Sequence, residues 1–184
     1  MSFIKHLKPK SNSHYKQGVK DPKIFKKYIA SCKNEPVIFR SGLELEFINY
    51  CENNPSIKRW ASEPIKIKYY SRLDDKEMNY YPDFVIEKTN GSRIIVEVKP
   101  KSQTYKPTVY DNLWAKEAWV KNMDKWVAAY RFAKKHNMSF VIVCENLQVR
   151  RITEDMVNEH LNNQRKQKIS KIEENGNSFK QTNT

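Results

Sequence analysis

Ile94-Ile95-Val96-Glu97-Val98-Lys99 is the stretch on which the reading of this chain turns. Side chains alternate across a strand, so Ile94, Val96 and Val98 face one way, into a core, while Ile95, Glu97 and Lys99 face the other. A carboxylate and an ammonium therefore emerge side by side at the end of an otherwise apolar strand. Charges in such a place are costly unless they are paired or bind a metal. Asn90-Gly91 supplies a tight turn just upstream. The preceding strand carries Pro82-Asp83, and a proline is tolerated at a strand start because no ladder donor is needed there. The hairpin register brings Asp83 beside Glu97, which gathers two carboxylates and one lysine in one place.

That set suits phosphodiester hydrolysis. Mg²⁺ or Mn²⁺ is held by hard oxygen ligands, one or two carboxylates together with waters and phosphate. A lysine beside them orients or deprotonates a water, or neutralises charge developing on phosphorus. The plainer alternative is an Asp and a Glu–Lys pair forming a salt bridge on a solvated sheet face. Ser41-Gly42-Leu43-Glu44 has the spacing of a capping box, in which the Glu side chain returns to the start of its helix.

Working outward, the rest of the chain reads as a frame for that hairpin. Asp21-Pro22 opens a short helix with Ile24, Phe25, Tyr28, Ile29 and Cys32 at helical spacing. Ser41 to Asn53 is a second helix, stopped by Asn54-Pro55. Strands are expected from Ile65 to Tyr69, from about Asn79 to Glu87, and from Ile94 to Lys99. A loop over 100–112 leads to a long helix from Leu113 to about Asn137. Its inner stripe is read as Trp114, Ala118, Met123, Trp126, Val127, Tyr130 and Ala133. Phe140 to Cys144 is an all-apolar run that fits a strand buried on both faces. Thr153 opens a last helix carrying Met156, Val157, His160 and Leu161, and the chain beyond Asn163 is expected to fray. The order predicts an α/β fold, a mixed central sheet flanked by helices. Three regions are expected: a flexible basic arm over 1–20, one domain over 21–162 and a polar C-terminal tail over 163–184.

Charge points to a polyanion. Of 184 residues, 34 are Lys or Arg and 21 Asp or Glu, a net charge of +13. Residues 1–40 contribute ten of the basic and two of the acidic residues, so the excess sits in the N-terminal segment while the centre is nearly balanced. Such a distribution fits DNA as a partner, through counterion release at phosphate. Lys101, Lys106 and Lys125 are candidate phosphate contacts, with an ordinary solvated face as the alternative. Trp60, Trp114, Trp119 and Trp126 are expected mostly in the core rather than stacked on bases. The three cysteines and four histidines show no zinc spacing. No apolar run is long enough for a membrane span, and no signal peptide is visible.

Several strings together carry a resemblance. Phe39-Arg40-Ser41-Gly42-Leu43-Glu44, Trp60-Ala61-Ser62-Glu63-Pro64, Tyr80-Tyr81-Pro82-Asp83-Phe84 and Val96-Glu97-Val98-Lys99-Pro100 resemble the TnsA-like endonucleases of the PD-(D/E)xK superfamily. Tyr50-Cys51 through Glu63, Lys99 through Thr104 and the Lys125-Trp126 pair look more closely like the head-completion nucleases of T-even-like tailed phages. The likeness covers about residues 38–147. It implies a restriction-endonuclease-like fold and a Mg²⁺-dependent site. Glu44, Asp83 and Glu97 are implied as metal ligands, with Lys99 as the basic member of the catalytic set. It also implies action late in phage head assembly on DNA ends, with portal or neck proteins as partners, in the host cytoplasm or at the virion vertex. Two rivals stand beside this reading. One is a virion protein that binds DNA or the portal without catalysis. The other is a transposase endonuclease subunit, for which a further C-terminal partner-binding domain is expected.

Overall fold

A computed structural model describes residues 17–29 and 36–181. Cys32, His6, His14 and most of the basic arm lie outside the described residues. Strand β1 (Gly18–Lys20) pairs antiparallel with β2 (Val37–Phe39), so the last residues of the expected arm are in a sheet. Helix α1 (Gly42–Asn53) follows, then β3 (Ile57–Ser62). Strands β4 (Ile67–Ser71) and β5 (Lys76–Tyr80) form a separate hairpin. Strands β6 (Phe84–Lys88) and β7 (Arg93–Val98) come next, then α2 (Leu113–Lys135), β8 (Ser139–Val143), β9 (Val149–Arg150) and α3 (Glu154–Gln181).

The central sheet has five strands in the order β3-β6-β7-β8-β9. Only β7 and β8 are parallel, and α2 is the crossover that a parallel pair requires. Strand parity sorts the two faces. Ile95, Phe140 and Ile142 pack with Met123, Trp126 and Val127 of α2 and with Ile67, Tyr69 and Tyr80 of the β4–β5 hairpin. Val96, Val98, Val141 and Val143 pack with Phe47, Ile48 and Cys51 of α1 and with Val37 and Phe39 of β2. The sheet is thus covered on both sides, which is why its two central strands are apolar at nearly every position.

The structure departs from the expected elements at several places, beginning with the unexpected short strands β1, β2 and β9. The helix after Pro22 is a single 3-10 turn, Pro22–Ile24, capped by the Asp21 carboxylate. The chain then runs extended: Tyr28 bridges Trp60 of β3, and Phe25 and Tyr28 lay their rings on the Trp60 indole at 5.4 and 4.7 Å. Burial against that indole outweighs a helical periodicity that would have left the rings nothing to cover. Strand β3 is an addition: its buried Ile57 and Trp60 are separated by two exposed residues, Lys58 and Arg59, so the segment lacks strict alternation. The expected strand over 79–87 is two strands in two sheets, divided at Tyr81-Pro82-Asp83, because Pro82 has no N–H for a ladder. Trp114 lies on the outer side of α2 and is 69% exposed, where the inner stripe was expected. The helical backbone of α3 continues through Gln181, well past Asn163.

Candidate active site

Pro82 ends one sheet and Asp83 opens the next, and this break creates the site. Phe84 pairs with Val96, which sets Asp83 opposite Glu97. Asp83 Oδ2 accepts from the Val98 N–H at 2.7 Å, so the side chain takes over where the proline interrupts the strand. Glu97 is buried, and its two oxygens have different partners. Oε1 pairs with Lys99 Nζ at 3.0 Å, and Oε2 accepts from the Tyr80 hydroxyl at 2.6 Å.

The electrostatics show a surplus of negative charge. Desolvation pushes the Asp83 carboxyl well above the ordinary carboxylate range; the charge of Glu97 adds to this and the Lys99 ammonium opposes it. Desolvation also raises the Glu44 carboxyl. Burial works to lower the Lys99 pKa, yet Glu97 and Asp83 outweigh it and the ammonium is held more firmly than usual. Burial lowers the pKa of Lys125, against the pull of Glu97 and Asp83, and its Nζ lies 5.6 Å from the centre of the Tyr80 ring. Tyr80 itself is pushed well above the usual phenol range by burial and by Glu97.

Of the residues singled out from the sequence, Glu97 and Lys99 meet directly, and Asp83, bonded to the Val98 N–H between them, feels the charge of both. Glu44 stands at the first turn of α1 and serves the helix cap: its amide donates to Ser41 Oγ at 3.1 Å, and its Oε2 accepts from the Arg40 N–H at 2.8 Å. Its charge still reaches Asp83 and Lys99. Lys125 arrives from α2. Lys101 is exposed beyond β7, and Lys106 is exposed in an ion pair with Glu159 at 2.7 Å. Two contributors, Tyr80 and Arg40, escaped the sequence reading of the site. Tyr80 buttresses Glu97. Arg40 pairs with Glu63, whose N–H donates to the Asp83 carbonyl at 2.9 Å. Glu63 adopts φ 46, a left-handed conformation unusual for a non-glycine residue. The strings around Arg40, Glu63 and Tyr80 were visible, but nothing local says that they converge.

The donor chemistry fits a hard divalent ion: Asp83 and Glu97 offer carboxylate oxygens, and the raised Asp83 pKa marks charge that a cation would relieve. Among the described residues no three His, Cys, Asp or Glu side chains form a ready metal cage. Mg²⁺ does not require one, since it retains waters and takes one or two carboxylates plus phosphate.

Residues 54–145 match the family described as TnsA-like endonuclease N terminal, a span that contains Asp83, Glu97, Lys99 and Lys125. The chain is 31% identical over 134 residues to the head completion nuclease of Enterobacteria phage T4, a match covering 68% of this chain and 88% of that protein. The mixed sheet and its flanking helices are the restriction-endonuclease-like fold. The chain belongs to the TnsA-like endonuclease family.

Proposed function

We propose that this protein is a metal-dependent DNA endonuclease that acts in phage head completion, trimming or processing DNA ends at the portal or neck. One observation carries the catalytic part: Asp83, immediately before β6, stands across from Glu97 of β7, with the Lys99 ammonium 3.0 Å from Glu97. The assembly part is supported by the name of the T4 relative.

In this reading Asp83 and Glu97 hold the ion, and Glu44 contributes negative charge from the start of α1. Bound Mg²⁺ or Mn²⁺ would polarise the phosphate and lower the pKa of a bound water. Lys99, fixed by Glu97, orients the attacking water and neutralises charge that develops on phosphorus. Tyr80 holds one oxygen of Glu97, which leaves that carboxylate a fixed direction. Lys125 reaches the same cluster from α2 and is the best placed of the three candidate lysines to meet a phosphate. Lys101 and Lys106 would contact the backbone farther out, and the basic segment 1–20 would add sequence-independent phosphate contacts.

The test is incubation of the purified protein with supercoiled and linear DNA, in Mg²⁺ or in EDTA, beside Asp83→Ala. Cleavage in Mg²⁺ alone, absent from the variant, is expected. Cleavage that persists in Asp83→Ala, after contaminating nucleases are excluded, refutes the site. Particles assembled with Asp83→Ala are expected to keep untrimmed DNA at the vertex, which sizing of the packaged DNA would detect.

A further inference from the structure

The largest exposed apolar side chains of the described residues gather in one short stretch. Val109 is 80% exposed, Tyr110 95%, Leu113 70% and Trp114 69%. An apolar surface of this kind is costly in water and marks a place that something covers.

The stretch is not loosely hung. Asp111 Oδ2 accepts from both the amide and the hydroxyl of Thr108 at 2.7 Å, closing a turn around Val109 and Tyr110. The Lys116 ammonium donates to the Val109 carbonyl at 2.9 Å. Asn112 caps α2 by accepting from the Ala115 N–H at 2.8 Å. Upstream, the Arg150 guanidinium sits 4.0 Å from the centre of the Tyr105 ring. Exposed aromatic groups on a fixed support lose little conformational freedom when a ligand covers them.

What covers them is suggested by the helix they start. At 100° per residue, positions 114, 121 and 125 fall within about 40° of one another on the surface of α2. A stripe therefore runs from Trp114 through exposed Lys121 to Lys125, a length of about 16 Å at 1.5 Å per residue. Its far end is the candidate active site, because Lys125 lies against Tyr80 and feels Glu97, Asp83 and Lys99. Neither Lys121 nor Lys125 forms an ion pair among the described residues. The stripe is bordered by two acids, Glu117, one turn from Trp114, and Asp111, which is engaged by Thr108 in the turn. Aromatic faces followed by free ammonium groups are the combination that binds a single strand: bases stack on the rings and phosphates follow the cations. A duplex keeps its bases stacked inside and offers nothing to the rings.

We propose that Tyr110 and Trp114 stack unpaired bases of a DNA strand whose backbone crosses Lys121 and Lys125 on its way to the Asp83–Glu97 cluster. This rests on the nuclease reading above and narrows it to DNA with unpaired nucleotides next to the cleaved bond. It also explains why the first turn of α2 is apolar on its outer side, where a solvated helix would be polar.

The test is binding without turnover. The full chain is titrated in EDTA with a single-stranded oligonucleotide and with a blunt duplex of the same length, followed by anisotropy and by intrinsic tryptophan fluorescence. Trp60 and Trp126 are buried and Trp119 is half-buried, so the quenching that is lost in Trp114→Ala is the part that reports on Trp114. The single strand is expected to quench the fluorescence and the duplex to leave it nearly unchanged. Trp114→Ala should remove the quenching, and Trp114→Ala and Tyr110→Ala should each weaken single-strand binding by about fivefold to a hundredfold. Duplex binding should change by less than about threefold, a scatter within ordinary surface effects. Tyr110 is in a turn and almost fully exposed, so Tyr110→Ala serves as the second variant should Trp114→Ala disturb α2. Equal losses on both ligands, or no loss on either, would overturn the proposal. Unchanged DNA binding together with a smaller species on gel filtration would assign the patch to contact between copies of the chain instead, and would also overturn it. Cleavage by the unaltered protein in Mg²⁺ is scored separately. Its absence would count against the nuclease reading while the binding result stands by itself.

Discussion

Two carboxylates of this protein, the half-buried Asp83 and the buried Asp124, both lose hydration, and their surroundings treat them in opposite ways. Asp124 lies on α2 with its side chain fully buried. It accepts from the Arg72 N–H at 2.9 Å and from Arg72 Nε at 2.7 Å, and it meets His160 Nε2 at 3.1 Å. Arg72 Nη2 in turn faces His160 Nδ1 at 3.2 Å. A guanidinium only donates, so Nδ1 is the acceptor and Nε2 carries the hydrogen that points to Asp124. Burial pushes the Asp124 carboxyl up, but the His160 and Arg72 hydrogen bonds and the Arg72 charge outweigh it and the pKa is lowered. At Asp83 the neighbours are two further carboxylates and a lysine already paired with one of them, and the pKa is raised. A buried charge with all its partners is a brace between elements. A desolvated charge short of them is waiting for a cation or a proton.

The largest expected effect breaks the brace. Asp124→Ala leaves Arg72 buried without its partner, which should cost about 3–5 kcal/mol of stability in urea or guanidinium unfolding. A loss under about 1 kcal/mol would mean that the network is not a brace. Asp83→Asn should show the reverse profile: equal or greater stability without metal, because a repelled charge is gone, and loss of detectable cleavage. Lys99→Ala belongs with it in activity, with a rate reduced about a hundredfold to a thousandfold, but it also leaves the buried Glu97 without its ion-pair partner and should lower stability. If either variant unfolds while retaining activity in its folded fraction, the contrast between the two carboxylates collapses.

Metal should sharpen the same contrast. An ion that binds only the folded chain adds about 2.7 kcal/mol at a hundred times its dissociation constant. Mg²⁺ is therefore expected to raise the melting temperature of the unaltered protein and of the Lys99→Ala variant, and to leave Asp83→Asn unmoved. An equal rise in Asp83→Asn would place the ion elsewhere.

The smallest effect is in the pH dependence, and the two carboxylates have opposite signs. Asp83 has a folded-state pKa above its unfolded value, so the folded chain binds the proton more tightly. Its contribution to stability falls as pH rises from about 4, the unfolded carboxylate value, to its raised folded pKa. Asp124 has a folded-state pKa below its unfolded value. Its contribution is present above about pH 4 and is lost as pH falls through the lowered pKa. Subtracting the unfolding free energy of Asp83→Asn from that of the unaltered protein across this range should leave a negative slope with pH, at most about 1.4 kcal/mol per unit. A flat or positive difference would show that Asp83 is not short of partners.

How much of this was legible depends on how far apart the participating residues are. The pairing of Glu97 with Lys99 and the approach of Asp83 were readable because strand parity and a hairpin turn are local rules. The Ser41 cap and the doubly buried β8 followed from local pattern as well. Phe25 and Tyr28 misled, since their spacing suits a helix and their destination, Trp60, is more than thirty residues on, a distance no periodicity spans. Tyr80 went unassigned because one continuous strand over 79–87 would have paired it with the wrong neighbours, and Pro82 instead divides two sheets.

The sequence by itself determined the faces of its elements: which side of β7 is greasy, where α1 starts, and that a carboxylate and an ammonium stand together at the end of a strand. Periodicity and capping act over a turn or a hairpin, so they are written in the order of the residues. Tertiary structure alone decided what each face meets. It set Tyr80 on Glu97 and Lys125 over the Tyr80 ring, joined Arg72 to Asp124 and His160 across separations of 52 and 88 residues, and left Tyr110 and Trp114 outside the core. A periodic pattern says that a side chain will be covered, and only the packing of distant segments, each competing for the same apolar surface, says by what.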